Sequence, residues 1–191
     1  MNDNGLNLEM RVSNKVYKLR VDREVNIVDF AKRHRNCVLL STCPWRLTMH
    51  SKLWSVNVFR AGTWIFMTRE LEDQFVSDTI KNEFGLVPEN VSVVNITAIV
   101  KHSIPIDLED LYDFFVNNPA FRKGARLFLD KQKFPALIVK RTVRSANVVF
   151  EFYIGGSINV TGMNENAQLT EAVQAIREIL EEYRKSISTS Y

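Results

Sequence analysis

A basic turn between two apolar runs holds the residues best suited to chemistry in this sequence: Lys140, Arg141 and Arg144. Cationic side chains on a strand connection are suited to phosphate contacts, because ammonium and guanidinium groups pair with phosphate oxygens. The pair Phe134-Pro135 opens the preceding run, and proline at a strand start suits an exposed neighbouring ring. The turn is interpreted either as a contact with a negatively charged partner or as an ordinary solvated turn.

No arrangement typical of an enzyme is present. His34, His50 and His102 fall in separate predicted elements without metal-ligand spacing. The two cysteines, Cys37 and Cys43, have no companion motif, and no glycine-rich loop could cradle a phosphate. We therefore expect no catalytic residue, no metal, no cofactor and no small-molecule ligand.

The composition indicates a folded, non-membrane chain. With 191 residues, 46% of them hydrophobic, the chain can form one sizeable domain or two small ones that share a core. No apolar run approaches the roughly 18 residues of a membrane span, and the polar amino terminus does not resemble a signal peptide. The cysteines are expected to be reduced thiols of an intracellular protein. A net charge of +3 permits a nucleic-acid partner without demanding one.

Hydrophobic periodicity predicts two runs of elements, each in the order strand, helix, strands, helix. In the first half, strands are predicted at 6–21, 37–49, 53–60 and 63–68, with helices at 26–34 and 68–84, the second capped by Gly85. A short link is predicted at 86–90. In the second half, strands are predicted at 91–103, 125–133, 134–142, 146–154 and 157–161, with helices at 106–118 and 167–185.

The two halves can be aligned as a repeat. A shift of 81 residues places Asn14 over Asn95 and 25–30 over 106–111, and a shift of 94 places Gly62 over Gly156. The 13 extra residues must then lie between the first helix and the last hairpin of the second half. Either the halves are two copies of one unit, or short apolar runs align by chance.

In the second half, "VVNITAIV", "KFPALIVKR" and "INVTG", followed by a long helix, resemble the carboxyl-terminal repeat of the TATA-box-binding protein family. The resemblance is strong over about residues 91–185 and weak over 1–88. It implies an α+β saddle with repeats at 1–88 and 89–191, which form one curved antiparallel sheet with helices on the convex face. The concave face of this family binds the DNA minor groove, and paired phenylalanines wedge between base steps.

Carried over position by position, the resemblance implies a set of DNA-binding residues. Asn95 matches the family's central asparagine, with Asn14 as its repeat mate or, alternatively, a turn residue. Phe134 matches a wedge, with Tyr153 as its partner, or Phe152 if the turn carries an extra residue. The full set is Asn14, Phe59, Ile65, Met67, Asn95, Thr97, Phe134, Lys140, Arg141, Arg144, Tyr153, Asn159 and Thr161.

Several positions depart from the family pattern. Cys43 stands where the first half should have a wedge phenylalanine, and Trp45 is either a substitute or a core residue. If Tyr153 points to the concave face, strand alternation places Glu151 on the same face. A carboxylate there repels phosphates, and A·T pairs offer it only acceptors. The acidic segment that meets a general transcription factor of the IIB type reads "DKQK", which gives Asp130, Gln132 and Lys133 as expected partner contacts.

The expected function is therefore a divergent transcription initiation factor that binds and bends A/T-rich promoter DNA and recruits factors of the IIB and IIA type. The alternative is a protein of the same fold that acts by protein–protein contacts, with little DNA binding of its own. The expected location is the nucleus, or a cytoplasmic replication compartment if the protein is viral.

Overall fold

The computed structural model describes residues 6–21, 24–34, 36–40 and 46–188. The strands are β1 (Leu8–Val21), β2 (Cys37–Leu40), β3 (Arg46–His50), β4 (Trp54–Phe59), β5 (Thr63–Thr68), β6 (Pro88–His102), β7 (Arg126–Leu129), β8 (Ala136–Val143), β9 (Ala146–Tyr153) and β10 (Ser157–Met163). The helices are α1 (Ile27–Arg33), α2 (Asp73–Phe84), α3 (Leu108–Asn117), α4 (Pro119–Arg122) and α5 (Asn166–Ser188).

The chain divides into two compact units, and β1 and β6 contribute residues to both. The amino-terminal unit is Asn14–Asn95, and the carboxyl-terminal unit joins the residues up to Ser13 with those from Ile96 on. Each unit is α+β, with helices packed on an antiparallel sheet, so the expected fold class is confirmed in its elements.

In the amino-terminal unit the strands are hydrogen-bonded in the order β2-β3-β4-β5-β1-β6. Alternate side chains of these strands pack under α1 and α2, because successive strand residues point to opposite faces. Trp64 and Phe66 are fully buried in this core, and Ile80 of α2 packs in the same cluster. We call the opposite, uncovered side of the sheet the open face of the unit.

In the carboxyl-terminal unit the order is β1-β6-β10-β9-β8-β7. Phe150 and Phe152 of β9 are fully buried, and the Phe152 ring lies 6.4 Å from the ring of Phe115 in α3. The long helix α5 contacts β8 and β10 on the same side. The other side of this sheet is the open face of the carboxyl-terminal unit.

The predicted repeat register is reproduced by backbone hydrogen bonds. Four bonds, two in each unit, match under the shifts of 81 and 94: Val21 N to Gly62 O (3.0 Å) and Val25 N to Arg60 O (3.2 Å), matched by His102 N to Gly156 O (2.8 Å) and Ile106 N to Ile154 O (3.0 Å). Gly62 and Gly156 also share a left-handed backbone, with φ of 77° and 78°. The same chain path is therefore present twice, and α4 lies within the extra length of the second copy.

Three predicted boundaries were wrong. The second helix begins at Asp73 and not at Thr68, because Thr68 ends β5 and its hydroxyl donates to Leu53 O at 3.2 Å. The span 37–49 contains two described strands, β2 and β3, instead of one. The predicted link at 86–90 already contains the start of β6, at Pro88. The Gly85 cap is confirmed, with φ of 65° and its N–H donating to Lys81 O.

No helix within the described residues is long and apolar enough to cross a bilayer.

Candidate functional site

The open face of the carboxyl-terminal unit is defined by strand register. Directly opposed residues of antiparallel strands share a face, and Glu151 of β9 is opposite both Ile138 of β8 and Asn159 of β10. All three side chains are partly exposed, whereas their strand neighbours Leu137 and Phe152 are fully buried. The open face therefore carries both apolar and polar side chains, and none of the helices in the described part of the chain packs on that side of the sheet.

Phe134 and Tyr153 lie together at one end of this face. Tyr153 is opposite Ala136 in the β8–β9 register, and its ring centroid lies 6.1 Å from that of Phe134, edge to face. Both rings are partly exposed. The alternative that Phe152 takes the place of Tyr153 was wrong, because Phe152 is fully buried under α3.

Phe59 occupies the corresponding turn of the amino-terminal unit. It ends β4, is opposite Arg46, and precedes a turn in which Gly62 N donates to Phe59 O at 3.1 Å. Gly156 N donates to Tyr153 O in the same way, at 3.0 Å. Phe59 also borders a groove of about 870 Å³ that Val25, Ile27 and Arg60 help to line. Cys43 and Trp45 lie outside the described residues.

The remaining residues that we expect to contact the DNA minor groove lie in central strands of the sheet. Ile65 is opposite Asn57 and Lys18, and Met67 is opposite Ser55 and Val16, all on the open face of the amino-terminal unit.

The three asparagines and two threonines of the expected set are partly exposed. The Oδ1 atom of Asn14 is buried and, among the described residues, accepts no hydrogen bond. The hydroxyls of Thr97 and Thr161 lie 3.3 Å apart across β6 and β10. Asn95 lies two residues before Thr97 in β6.

A polar network surrounds Glu151. Its Oε2 atom accepts from the Tyr153 hydroxyl and from Nδ2 of Asn159, both at 3.1 Å. Burial, followed by the nearby negative charge of Glu151, raises the pKa of Tyr153 above its ordinary value. The sequence placed Glu151 and Tyr153 on one face, but the contact to Asn159 depends on the β9–β10 register.

The three basic residues of the turn do not point the same way. Lys140 is exposed on the open face, opposite Val149 and Arg126. Arg141 is opposite Val148, on the helix-covered side. Arg144 lies in the turn itself and pairs with Glu171 of α5.

Arg126 is a candidate that the sequence reasoning missed. Its register with Lys140 places two cations side by side at the margin of the open face. Arg126 lies in β7, outside the basic hairpin between β8 and β9. Its place beside Lys140 depends on the register between β7 and β8, which the basic pattern of that hairpin does not give.

The segment expected to meet a partner protein is a short turn after β7. The Asp130 carboxylate accepts from the backbone N–H groups of Gln132 (3.2 Å) and Lys133 (3.3 Å). Nζ of Lys133 also pairs with Asp130 at 2.9 Å. Gln132 and Lys133 are exposed, so they are accessible to a partner.

One ionisable cluster lies on the helix-covered side of the amino-terminal unit. The Asp73 carboxylate accepts from the Tyr17 hydroxyl at 2.6 Å and from Nζ of Lys15 at 3.1 Å. The Tyr17 hydrogen bond first, and then the one from Lys15, lowers the pKa of Asp73, while burial raises the pKa of Tyr17. Because Asp73 is the first residue of α2, this cluster ties the start of the helix to β1. Within the described part of the chain, no group of three or more His, Cys, Asp or Glu residues is placed to hold a metal ion.

Comparison with known proteins agrees with this geometry. Residues 90–183 match the family model described as transcription factor TFIID, or TATA-binding protein (TBP). Among solved structures, Methanococcus jannaschii TBP is similar with a TM-score of 0.69 at 17% identity, over 91% of this chain and 99% of that one. The expected resemblance and the TBP-like fold class are thereby confirmed.

Two further comparisons are less informative. A rolling circle replication initiator protein from Geobacillus stearothermophilus has a TM-score of 0.44 at 10% identity, over 87% of this chain and 78% of that one. No curated protein matched the chain in sequence.

Proposed function

Since this chain is TBP-like, in sequence over residues 90–183 and in fold over most of its length, we propose that it is a transcription initiation factor that binds and bends duplex DNA through the minor groove. The observation that supports this proposal most directly is the pair of partly exposed rings, Phe134 and Tyr153, on the open face of the carboxyl-terminal unit. Phe59 stands at the matching turn of the other unit.

The chemistry of the open faces suits a minor groove. Inserting a ring between base steps requires unstacking, which costs a few kcal/mol and is offset by the wider contact of bent DNA. Ile65, Met67 and Ile138 would supply apolar contact to sugars, and amides such as Asn95 would donate to the acceptors of A·T pairs. A preference for A/T-rich DNA is part of the proposal.

The phosphate contacts are proposed for the cations at the margin of the open face. Lys140 and Arg126 are side by side there and are not engaged in an ion pair with any described residue. Arg141 lies on the helix-covered side, away from this face, so Arg144 is the further contact proposed from the basic turn, and it must then leave Glu171. Proteins that neutralise phosphates release counterions, so this part of the affinity falls with salt.

The proposed partners beyond DNA are general transcription factors of the IIB and IIA type, and the exposed turn at Gln132 and Lys133 is the proposed contact for the first. Replacing an acidic segment by lysine at this site changes the charge that a partner must match. The nucleus, or a cytoplasmic replication compartment for a viral protein, is the proposed location.

A second function is favoured by one observation, the Glu151 carboxylate on the open face. A fixed negative charge there opposes DNA phosphates and suits a protein that acts through protein–protein contacts on the same fold.

Binding and bending of one duplex separate these two functions. A gel shift on a short A/T-rich duplex at low salt should show binding. Fluorescence on the same labelled DNA should show a shorter end-to-end distance in the complex. Phe134→Ala should reduce both the shift and the bend. Tyr112→Ala, a partly exposed aromatic on α3, should alter neither. Absence of binding by the wild-type protein would leave the protein-interaction function.

A further inference from the structure

Glu151 has one carboxylate oxygen available on the open face. Its Oε2 atom is occupied by the Tyr153 hydroxyl and by Nδ2 of Asn159. Its Oε1 atom accepts no hydrogen bond from any described residue, and no described cation pairs with the carboxylate. Because both neighbours donate to Oε2, they hold the side chain in place and leave Oε1 as an oriented acceptor.

In the minor groove, only one base group can donate a hydrogen bond to an acceptor at this place. A·T and T·A pairs present only the acceptors adenine N3 and thymine O2, whereas a G·C pair adds the N2 amino donor of guanine. An ionised carboxylate can only accept hydrogen bonds. Glu151 is therefore unmatched over an A·T pair and matched over a guanine.

We propose that Glu151 is a specificity-determining residue that selects a guanine N2 amino group at one position under the carboxyl-terminal unit. The proposal rests on the proposed DNA-binding function and deepens it: the preferred site is A/T-rich with one required G·C pair. The hydrogen bond forms between the N2 amino group and Oε1, with Tyr153 and Asn159 as positioning residues.

The amino-terminal unit has a different group at the matching position. The shift of 94 residues that aligns the turns at Gly62 and Gly156 also aligns Asn57 with Glu151. Oδ1 of Asn57 accepts from the Thr48 hydroxyl at 2.7 Å, which leaves its amide N–H groups as donors toward groove acceptors. One unit thus presents a donor and the other an acceptor, so a single G·C pair would also set the direction in which this internally repeated protein binds.

Nucleobase analogues test the proposal without altering the protein. Inosine lacks the 2-amino group of guanine, and 2,6-diaminopurine adds one to adenine, while both keep the pairing partner. In a set of duplexes, a single G·C pair is placed at each position in turn. At one of these positions, the protein should bind the duplex with guanine at least about 5-fold more tightly than the same duplex with inosine. At the same position, diaminopurine should bind more tightly than adenine.

Two variants assign the effect to the residue. Glu151→Asn copies the other unit and should remove the guanine-over-inosine difference, with binding to an all-A·T duplex unchanged or stronger. Glu70→Asn, an exposed glutamate elsewhere, should keep the difference. Asn57→Glu should create a second guanine preference, at a position under the amino-terminal unit. A thermal melt of each variant confirms that it is folded.

The outcomes separate the proposal from the function beneath it. Loss of the difference in Glu151→Asn supports the proposal. Wild-type protein that binds DNA but treats guanine and inosine alike at every position overturns it and leaves the proposed function standing. A difference that persists in Glu151→Asn also overturns it, because another group then reads the base. No binding to any duplex refutes the proposed function itself.

Discussion

Replacing Phe134 by alanine should separate a DNA-contacting role from a role in the core. The side chain is partly exposed, and its clearest described ring contact is the edge-to-face pair with Tyr153 at 6.1 Å. Such a pair contributes about 0.5–1.5 kcal/mol beyond the area it buries. We therefore expect Phe134→Ala to lower the free energy of unfolding by roughly 1–2 kcal/mol.

Phe152→Ala, at the residue next to Tyr153 in β9, is the matched comparison. That ring is fully buried against Phe115, and deleting a buried phenylalanine costs about 3–5 kcal/mol. In a chain of this length, 1 kcal/mol shifts Tm by roughly 2–4 °C, so the two variants should differ by several degrees in a thermal melt. Phe134→Ala should nevertheless lose far more of the DNA bend, measured by fluorescence end-to-end distance on a labelled duplex.

An exchange of these effects between the two variants would contradict a DNA-contacting role for Phe134. A Phe134→Ala protein that melts as early as Phe152→Ala and leaves the duplex bent as in the wild type would make Phe134 a core residue. The proposed wedge would then be lost from the carboxyl-terminal unit, and the protein-interaction function would be favoured.

Three further outcomes are expected. Lys140→Ala and Arg126→Ala should each flatten the slope of log affinity against log salt by about 0.9, measured by titration from low to moderate salt; unchanged slopes would remove both cations from the interface. Asn95→Ala should lose about 1–3 kcal/mol of A·T-over-G·C discrimination in competition binding, and full discrimination in a folded variant would make the residue structural. Because the folded-state pKa of Asp73 is lowered, first by the Tyr17 hydrogen bond, its stabilisation is complete above the ordinary value of 3.8 and is lost as pH falls through the folded pKa. The free energy of unfolding of the wild type, measured with denaturant, should therefore fall more between pH 5 and pH 3 than that of Asp73→Asn. An equal decrease in the two proteins would contradict this.

The repeat could be predicted from the sequence because backbone demands recur at fixed positions. Gly62 and Gly156 stand where φ is positive, and a Cβ on Gly156 would lie 2.3 Å from His102 O. Few residues other than glycine meet such a constraint, so the two glycines align the halves even though side chains between them have diverged.

The composition of the candidate site was less accessible from the sequence. The resemblance left two candidates for the partner of Phe134, Tyr153 or, if the turn carried an extra residue, Phe152, and only packing against α3 decides between them. The neighbours of Glu151 and Lys140 depend on the register of the β9–β10 and β7–β8 pairs, which is fixed by the geometry of the connecting turns and not by the alternation of side chains along each strand. Threonine is a common N-cap, which favours a helix start at Thr68, but here the Thr68 hydroxyl donates to the carbonyl of Leu53 in the bend before β4.

Matching positions of the two units share a backbone and differ in chemistry. Tyr153 corresponds to Phe59, Asn159 to Ile65, and Glu151 to Asn57 under the shift of 94 residues. Each replacement makes the open face of the carboxyl-terminal unit more polar, and the three polar residues bond to one another. They therefore act as one group: removing Asn159 alone would release Glu151 from half of its restraint. If the protein binds DNA as proposed, this difference between the units favours an A/T-rich duplex with a guanine under the carboxyl-terminal unit over a symmetric duplex.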